Sequence, residues 1–206
     1  MSTVVLDRFR GRILGAGSTS GLRLVIGDWT CSPLGAFTDV MVATAQGRRI
    51  LLAPDEAVAQ YVSATYTFDE VRLCPVTLVD APDSWRLVAG PLSCHIGLGH
   101  RTSVGWLLRP VPERVGRSRA FARLCDPVAR RLLPGVRTVG SAGGGRREYY
   151  GAHDQHRLTS LGGTWHGADL GALAPVFPAP RFGFSSTPAA PSLTRVTTTV
   201  ARPTVG

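Results

Sequence analysis

Four acids stand inside or at the ends of stretches with strand-like alternation: Asp39 in SPLGAFTDVMV, Asp69 and Glu70 in TFDEV, and Glu148 in RREYY. A carboxyl held in an apolar cavity has its pKa raised, and can then give or take a proton as a general acid or base. Side chains on a strand alternate between two faces, so Asp39 shares a side with Met41 while Val40 and Val42 share the other. Most strand acids face solvent, but an apolar Met41 beside Asp39 favours an inward position. This makes Asp39, Asp69 and Glu70 the candidate catalytic residues. Phe37, Met41, Arg72, Glu148 and Tyr150 are the candidate ligand contacts.

Other chemistries are excluded or weakened. All 23 basic residues are arginine. Without lysine there is no lysine Schiff base and no P-loop lysine on a phosphate. GAGSTSG (15–21) leads into a strand pattern where a dinucleotide loop needs a helix, so it reads as a hairpin loop. No GxSxG elbow is present. Three histidines, His153 and His156 in HDQH with His166 further on, raise a metal-dependent alternative. The i, i+3 pair falls in an expected turn, where convergence on one ion is not assured, so no metal is assigned. His95 and His100 fall on opposite faces of one strand. Cys31, Cys74, Cys94 and Cys125 form no CxxC pair and read as free thiols. No cofactor is assigned.

Residues 101–131 carry eight arginines and two acids, +6 of the chain's net +9. Arg119, Arg123 and Arg130 fall opposite an apolar stripe of Phe121, Leu124, Cys125, Val128 and Leu132. Such a face could meet phosphate, RNA or an anionic lipid surface. A solvated helix face is the competing reading, since no RNA-stacking or recognition-helix pattern accompanies it.

The elements that must position these residues are mostly strands. Alternating runs near Leu6–Leu14, LRLVIGDW, FTDVMV, RRILLAP, EVRLCPVTLV, SWRLVAG, LSCHIGLGH, VRTVGSA, RREYYGAH, RLTSLGGTW and LTRVTTTV are separated by Gly, Pro and Ser turns. Val58, Tyr61, Val62 and Thr65 recur at helical spacing in PDEAVAQYVSATY. RSRAFARLCDPVARRLLPG is the second helical stretch, expected to kink or restart at Asp126-Pro127. Residues 102–112 read as a connection, and the proline-rich stretch 174–192 as an irregular lid or wrap. Hydrophobic residues at 44% and charged residues at 18% suit one folded domain, and no apolar run approaches the roughly 18 residues of a membrane span. The first ten residues carry acid and arginine and no signal-peptide core, so a cytoplasmic protein is expected.

The stretches LGAFTDV and YVSATYTFDEV resemble the acetoacetate decarboxylase superfamily over residues 30–100. That family has a Gly-x-aromatic-Thr-Glu stretch whose glutamate lines a small-molecule pocket, and Gly35-Ala36-Phe37-Thr38-Asp39 is similar to it. The resemblance implies a closed antiparallel barrel around a pocket. The family's catalytic lysine follows a short helix, where this chain reads Phe68-Asp69-Glu70. A Schiff-base decarboxylase is therefore excluded.

The expected fold is mainly β (α+β), a closed antiparallel β-barrel of about ten strands with one or two short helical insertions. It forms one domain over residues 1–200, with a frayed tail over 201–206. The expected function is binding of a small keto or carboxylic molecule, with acid–base chemistry as the enzymatic option and homo-oligomer formation left open. The alternative is a scaffold protein that uses its arginine face on an anionic partner.

Overall fold

The structure is a computed structural model that describes residues 4–203 apart from 117, 133–135 and 186, with the side chains at 128, 130 and 132 also outside the described set. The strands are β1 (Val4–Ser18), β2 (Arg23–Cys31), β3 (Phe37–Ala43), β4 (Arg49–Ala53), β5 (Glu70–Leu73), β6 (Val76–Ala81), β7 (Ser84–Ala89), β8 (Leu92–Arg101), β9 (Val139–Ser141), β10 (Arg147–Trp165), β11 (Ala168–Asp169), β12 (Leu173–Ala174) and β13 (Ser192–Pro203). The helices are α1 (Glu56–Ser63), α2 (Ser103–Leu108), α3 (Glu113–Gly116) and α4 (Arg119–Leu132). Ten strands run in the order β5-β4-β3-β2-β1-β13-β10-β8-β7-β6, with β9 and β11 added on β10 and β12 on β1.

The sheet is a curled half-barrel with an open ladder, not the closed barrel expected. Its two ends, β5 and β6, are consecutive in the chain and separated only by Cys74-Pro75. β5 pairs in parallel with β4, and the Cys74 N–H extends that pairing to Ala53 O at 3.0 Å. Pro75 has no N–H to continue it, and β6 pairs with β7 instead. A strand cannot pair with its own continuation, so the ladder stops at both ends of this segment.

The curl closes one face of the sheet on itself. Leu14, Leu24, Ile26, Val40, Val42 and Leu52 pack against Trp85, Leu87, Leu92 and Ile96 in one apolar core. The buried Trp85 indole keeps its hydrogen bond by donating to Asp80 Oδ1 at 2.6 Å. On the other face α1 seats Val58, Ala59 and Val62 over Leu51 and Ala53. Asp55 caps that helix, its carboxylate accepting from the Val58 N–H at 2.9 Å.

Several sequence expectations change. Residues 102–112 hold α2, capped by Thr102 through the Gly105 N–H at 3.1 Å. α4 runs through Pro127 as one helix with no restart at Asp126. Asp126 instead turns its carboxylate to the backbone N–H groups of Thr138 and Val139, at 2.8 and 3.3 Å. His153 and His156 lie within β10, not in a turn. Ala201–Pro203 belong to β13, and residues 204–206 lie outside the described set. The glycines of GAGSTSG divide between strand and turn. Gly15 and Gly17 are strand residues, and the turn is made further on at Thr19–Gly21.

Gly17 is required by contact. A Cβ there would lie 2.1 Å from the backbone O of Pro175. Gly17→Val is expected to cost at least about 2 kcal/mol in urea unfolding. Gly162→Ala, where an added Cβ would meet nothing within 4 Å, should be neutral or mildly stabilising. Equal effects at the two sites would show that the 174–192 segment does not press on β1.

Candidate functional site

β3, β2, β1, β13 and β10 lie side by side in the sheet, and alternate residues of each face one cavity of about 410 Å³. The register lays these residues out in rows. One row runs Met41, Val25, Gly15, Ser192; the next runs Asp39, Gly27, Ile13, Thr194, Gln155. A third runs Phe37, Trp29, Gly11, Val196, Ala152, and beyond it Phe9, Thr198 and Tyr150 align. The roof comes from α1 with Tyr66, from α2 and α4, and from Pro180, Phe182, Ser185, Thr187 and Pro188 of the proline-rich stretch. That stretch therefore forms part of the cavity wall.

Asp39 is 1% exposed. Its Oδ1 accepts from Trp29 Nε1 at 3.1 Å, and its Oδ2 is buried without a hydrogen-bond partner. Burial pushes its pKa up to about 7, against the Trp29 hydrogen bond and one from its own backbone N–H. Gly27 makes the Trp29–Asp39 bond sterically feasible. A Cβ there would stand 2.5 Å from Asp39 Oδ1 and 2.6 Å from Trp29 Nε1.

Glu148, also 1% exposed, lines the cavity from β10. Tyr66 OH donates to its Oε1 at 2.9 Å, Tyr150 OH reaches its Oε2 at 3.3 Å, and the two phenols meet at 2.7 Å. Burial raises Glu148 to about 7, opposed by both phenols and Arg146, and both phenols are held well above their ordinary value. Three contacts need three protons. The phenols bring two, and the carboxyl supplies the third only when neutral. Further buried hydroxyls and an arginine nitrogen lining the cavity lack partners: Thr187 Oγ1, Ser192 Oγ, Thr198 Oγ1 and Arg137 Nε. Native interiors rarely leave such atoms unpaired, so this side of the sheet carries an unusual concentration of uncompensated polar groups among the described residues.

Of the candidate residues, Asp39, Phe37, Met41, Glu148 and Tyr150 line this cavity. Asp69, Glu70 and Arg72 do not. β5 is an edge strand with no fully buried residue, so its charged side chains pair at the surface. Arg49 holds Asp69 at 2.7 Å and, by that hydrogen bond, lowers its pKa to about 2. Glu70 pairs with Arg48 at 2.7 Å and also with Arg72, whose Nη1 lies 3.0 Å from His166 Nε2. The histidines are scattered: His153 Nε2 meets Thr197 Oγ1 at 2.8 Å and His156 Nδ1 meets Gly99 O at 3.0 Å. Among the described residues no group of three His, Cys, Asp or Glu side chains could hold a metal ion. Arg119 and Arg123 lie over the Tyr149 ring outside the cavity, and the side chain of Arg130 is outside the described set.

Trp29, Tyr66, Arg137 and Thr187 were not among the candidates. Trp29 could have been found by parity, since it follows Val25 and Gly27 on one face of β2. Tyr66, Arg137 and Thr187 sit outside regular strands and helices, where no period points to them.

No family model and no curated protein matches the chain. Among solved structures, a crystal structure of acetoacetate decarboxylase from Legionella pneumophila is similar over 99% of this chain and 89% of that one, at 12% identity and a TM-score of 0.40. A likeness at that level carries no activity and no site across.

The two buried carboxyls give stability a definite pH dependence. Below the ordinary aspartate value of 3.8 both folded and unfolded chains keep the Asp39 proton. As pH rises towards about 7 the unfolded chain releases it while the folded chain does not, so stability falls and then levels off. Asp39→Asn removes that term. Its stability relative to wild type should rise between pH 3 and pH 8, by a total on the order of 4 kcal/mol. Any cost of the new amide's unpaired N–H is constant in pH. Denaturant unfolding at several pH values measures this, and a flat difference would mean Asp39 titrates as an exposed acid.

Proposed function

We propose that the protein binds a small, largely apolar organic molecule bearing a carbonyl or hydroxyl oxygen, and that Asp39 moves a proton on it. The observation that carries this reading is the Asp39 carboxyl: fully buried, one oxygen without a partner, poised near neutrality, and facing a cavity of ligand size. With Trp29 Nε1 fixing Oδ1, Oδ2 is the atom positioned to exchange a proton with the ligand. As a carboxylate it takes a proton from carbon beside a carbonyl; as the acid it returns one elsewhere, which is the step shared by isomerisation, dehydration and hydration. Glu148 fits a different role. Its oxygens and both phenols are already engaged with one another, so this group shapes a polar wall.

Arg137 is the one basic side chain lining the cavity among the described residues. Two acids whose negative charge is disfavoured by burial, with a single arginine, favour a neutral or singly anionic ligand over a phosphate-rich one. Asp39 and Tyr150 stand four strand spacings apart, about 19 Å along the sheet before curvature, so one ligand need not touch both. A second reading, binding without chemistry, is favoured by the largely apolar remainder of the lining.

A panel of apolar ketones in D₂O separates the two. Ligand binding is read by thermal shift and exchange of the carbon-bound proton by NMR. Catalysed exchange is expected, falling about 100-fold or more in Asp39→Asn with binding retained. Binding without exchange leaves the binding-only reading, and undiminished exchange in Asp39→Asn removes Asp39 from the chemistry.

A further inference from the structure

The cavity reaches the surface between α2 and α4. Leu107 and Leu124 both line it, yet they are 68% and 73% exposed. On α2 Trp106 is 57% exposed, and on α3 Val115 is 45% exposed. These exposed apolar side chains lie on α2, α3 and α4, of which α2 and α4 line the cavity, and they contribute little to the core. Arg109, Arg114, Arg119 and Arg123 are exposed on the same three helices or just beyond them, and none forms an ion pair among the described residues. Of the two acids on these helices, Asp126 is turned to the Thr138 and Val139 backbone and to Arg137, and Glu113 is exposed.

We propose that this face docks on an anionic lipid surface, which places the cavity mouth against the membrane so that an apolar ligand can exchange with the bilayer. Apolar side chains and uncancelled cations together suit the boundary between headgroups and acyl chains, and a tryptophan at the rim suits it as well. The other occupants fit less well. RNA would use the arginines but would leave the exposed Leu107 and Leu124 without a partner. A second copy seated face to face would set arginine against arginine. The docking does not depend on proton transfer by Asp39; the exchange of ligand rests on the cavity being a binding site.

The test uses the full chain with two kinds of vesicle, phosphatidylcholine alone and phosphatidylcholine with about one third phosphatidylglycerol. Co-sedimentation should favour the anionic vesicles by at least about tenfold, an advantage lost in high salt. Arg114→Gln and Arg119→Gln should each weaken it about fivefold, and Trp106→Asp should weaken it further. None of these residues lines the cavity, so ketone binding measured without vesicles should be unchanged, and that measurement reports on the binding site independently. The two arginine variants alter only exposed side chains and keep the test valid should Trp106→Asp fail to fold. Equal binding to both vesicles overturns the proposal. So does binding of an RNA oligonucleotide in their place, or a dimer in sedimentation that Trp106→Asp dissociates.

Discussion

The five central strands present apolar residues on both faces, and each face has to be covered. This requirement organises the rest of the molecule. One face is covered by the sheet itself, which curls until β7 and β8 lie over β2, β3 and β4 and fill the space with large side chains. The other face lies outside that curl and is not covered by strands of the same sheet. Helices and the proline-rich stretch cover it instead, and they meet it less completely. The cavity is what this second, less complete covering leaves. Glycines decide how closely the cover can approach: Gly15 receives Thr187, whose atoms lie 2.5–2.8 Å from where a Cβ would be, and Gly17 receives Pro175.

Within that cavity the carboxyls are held at an energetic disadvantage. Asp69 and Asp154 show what a stabilised acid looks like here: each meets an arginine and has its pKa lowered by it, to about 2. Among the described residues Asp39 and Glu148 form no ion pair with an arginine, and burial pushes them the other way, at Glu148 against the more distant charge of Arg146. A neutral acid costs far less to bury than a carboxylate, and the indole holds one oxygen of Asp39 while the phenols hold both oxygens of Glu148. A buried carboxyl near neutrality in an apolar wall is poor for stability and suited to moving protons. Uncompensated groups of this kind collect where function outweighs stability.

Legibility followed periodicity. The alternation in FTDVMV placed Val40 and Val42 opposite Asp39 and Met41, and these are indeed the two faces of β3. α1 was readable from its spacing, with acids at its start. α2 was not, since SVGWLL is short and interrupted by Gly105, a glycine needed because a Cβ would lie 2.4 Å from Gln155 O. Asp69, Glu70 and Arg72 sounded like the same rhythm as Asp39. Their strand pairs in parallel at an edge, and a period of two cannot distinguish an edge from a centre.

By itself the sequence determined that the chain is mainly β, that lysine chemistry is closed to it, and that Asp39 shares a face with Met41. These follow from residue type and local period, which neighbours along the chain impose directly. Only the tertiary structure decided that this face is roofed, that Trp29 reaches Asp39 across Gly27, that Tyr66 joins Tyr150 on Glu148, and that Leu107 and Leu124 frame an opening. Each of those depends on strands and loops far apart in sequence meeting through backbone register and close packing, and no local pattern records which partner a face will find.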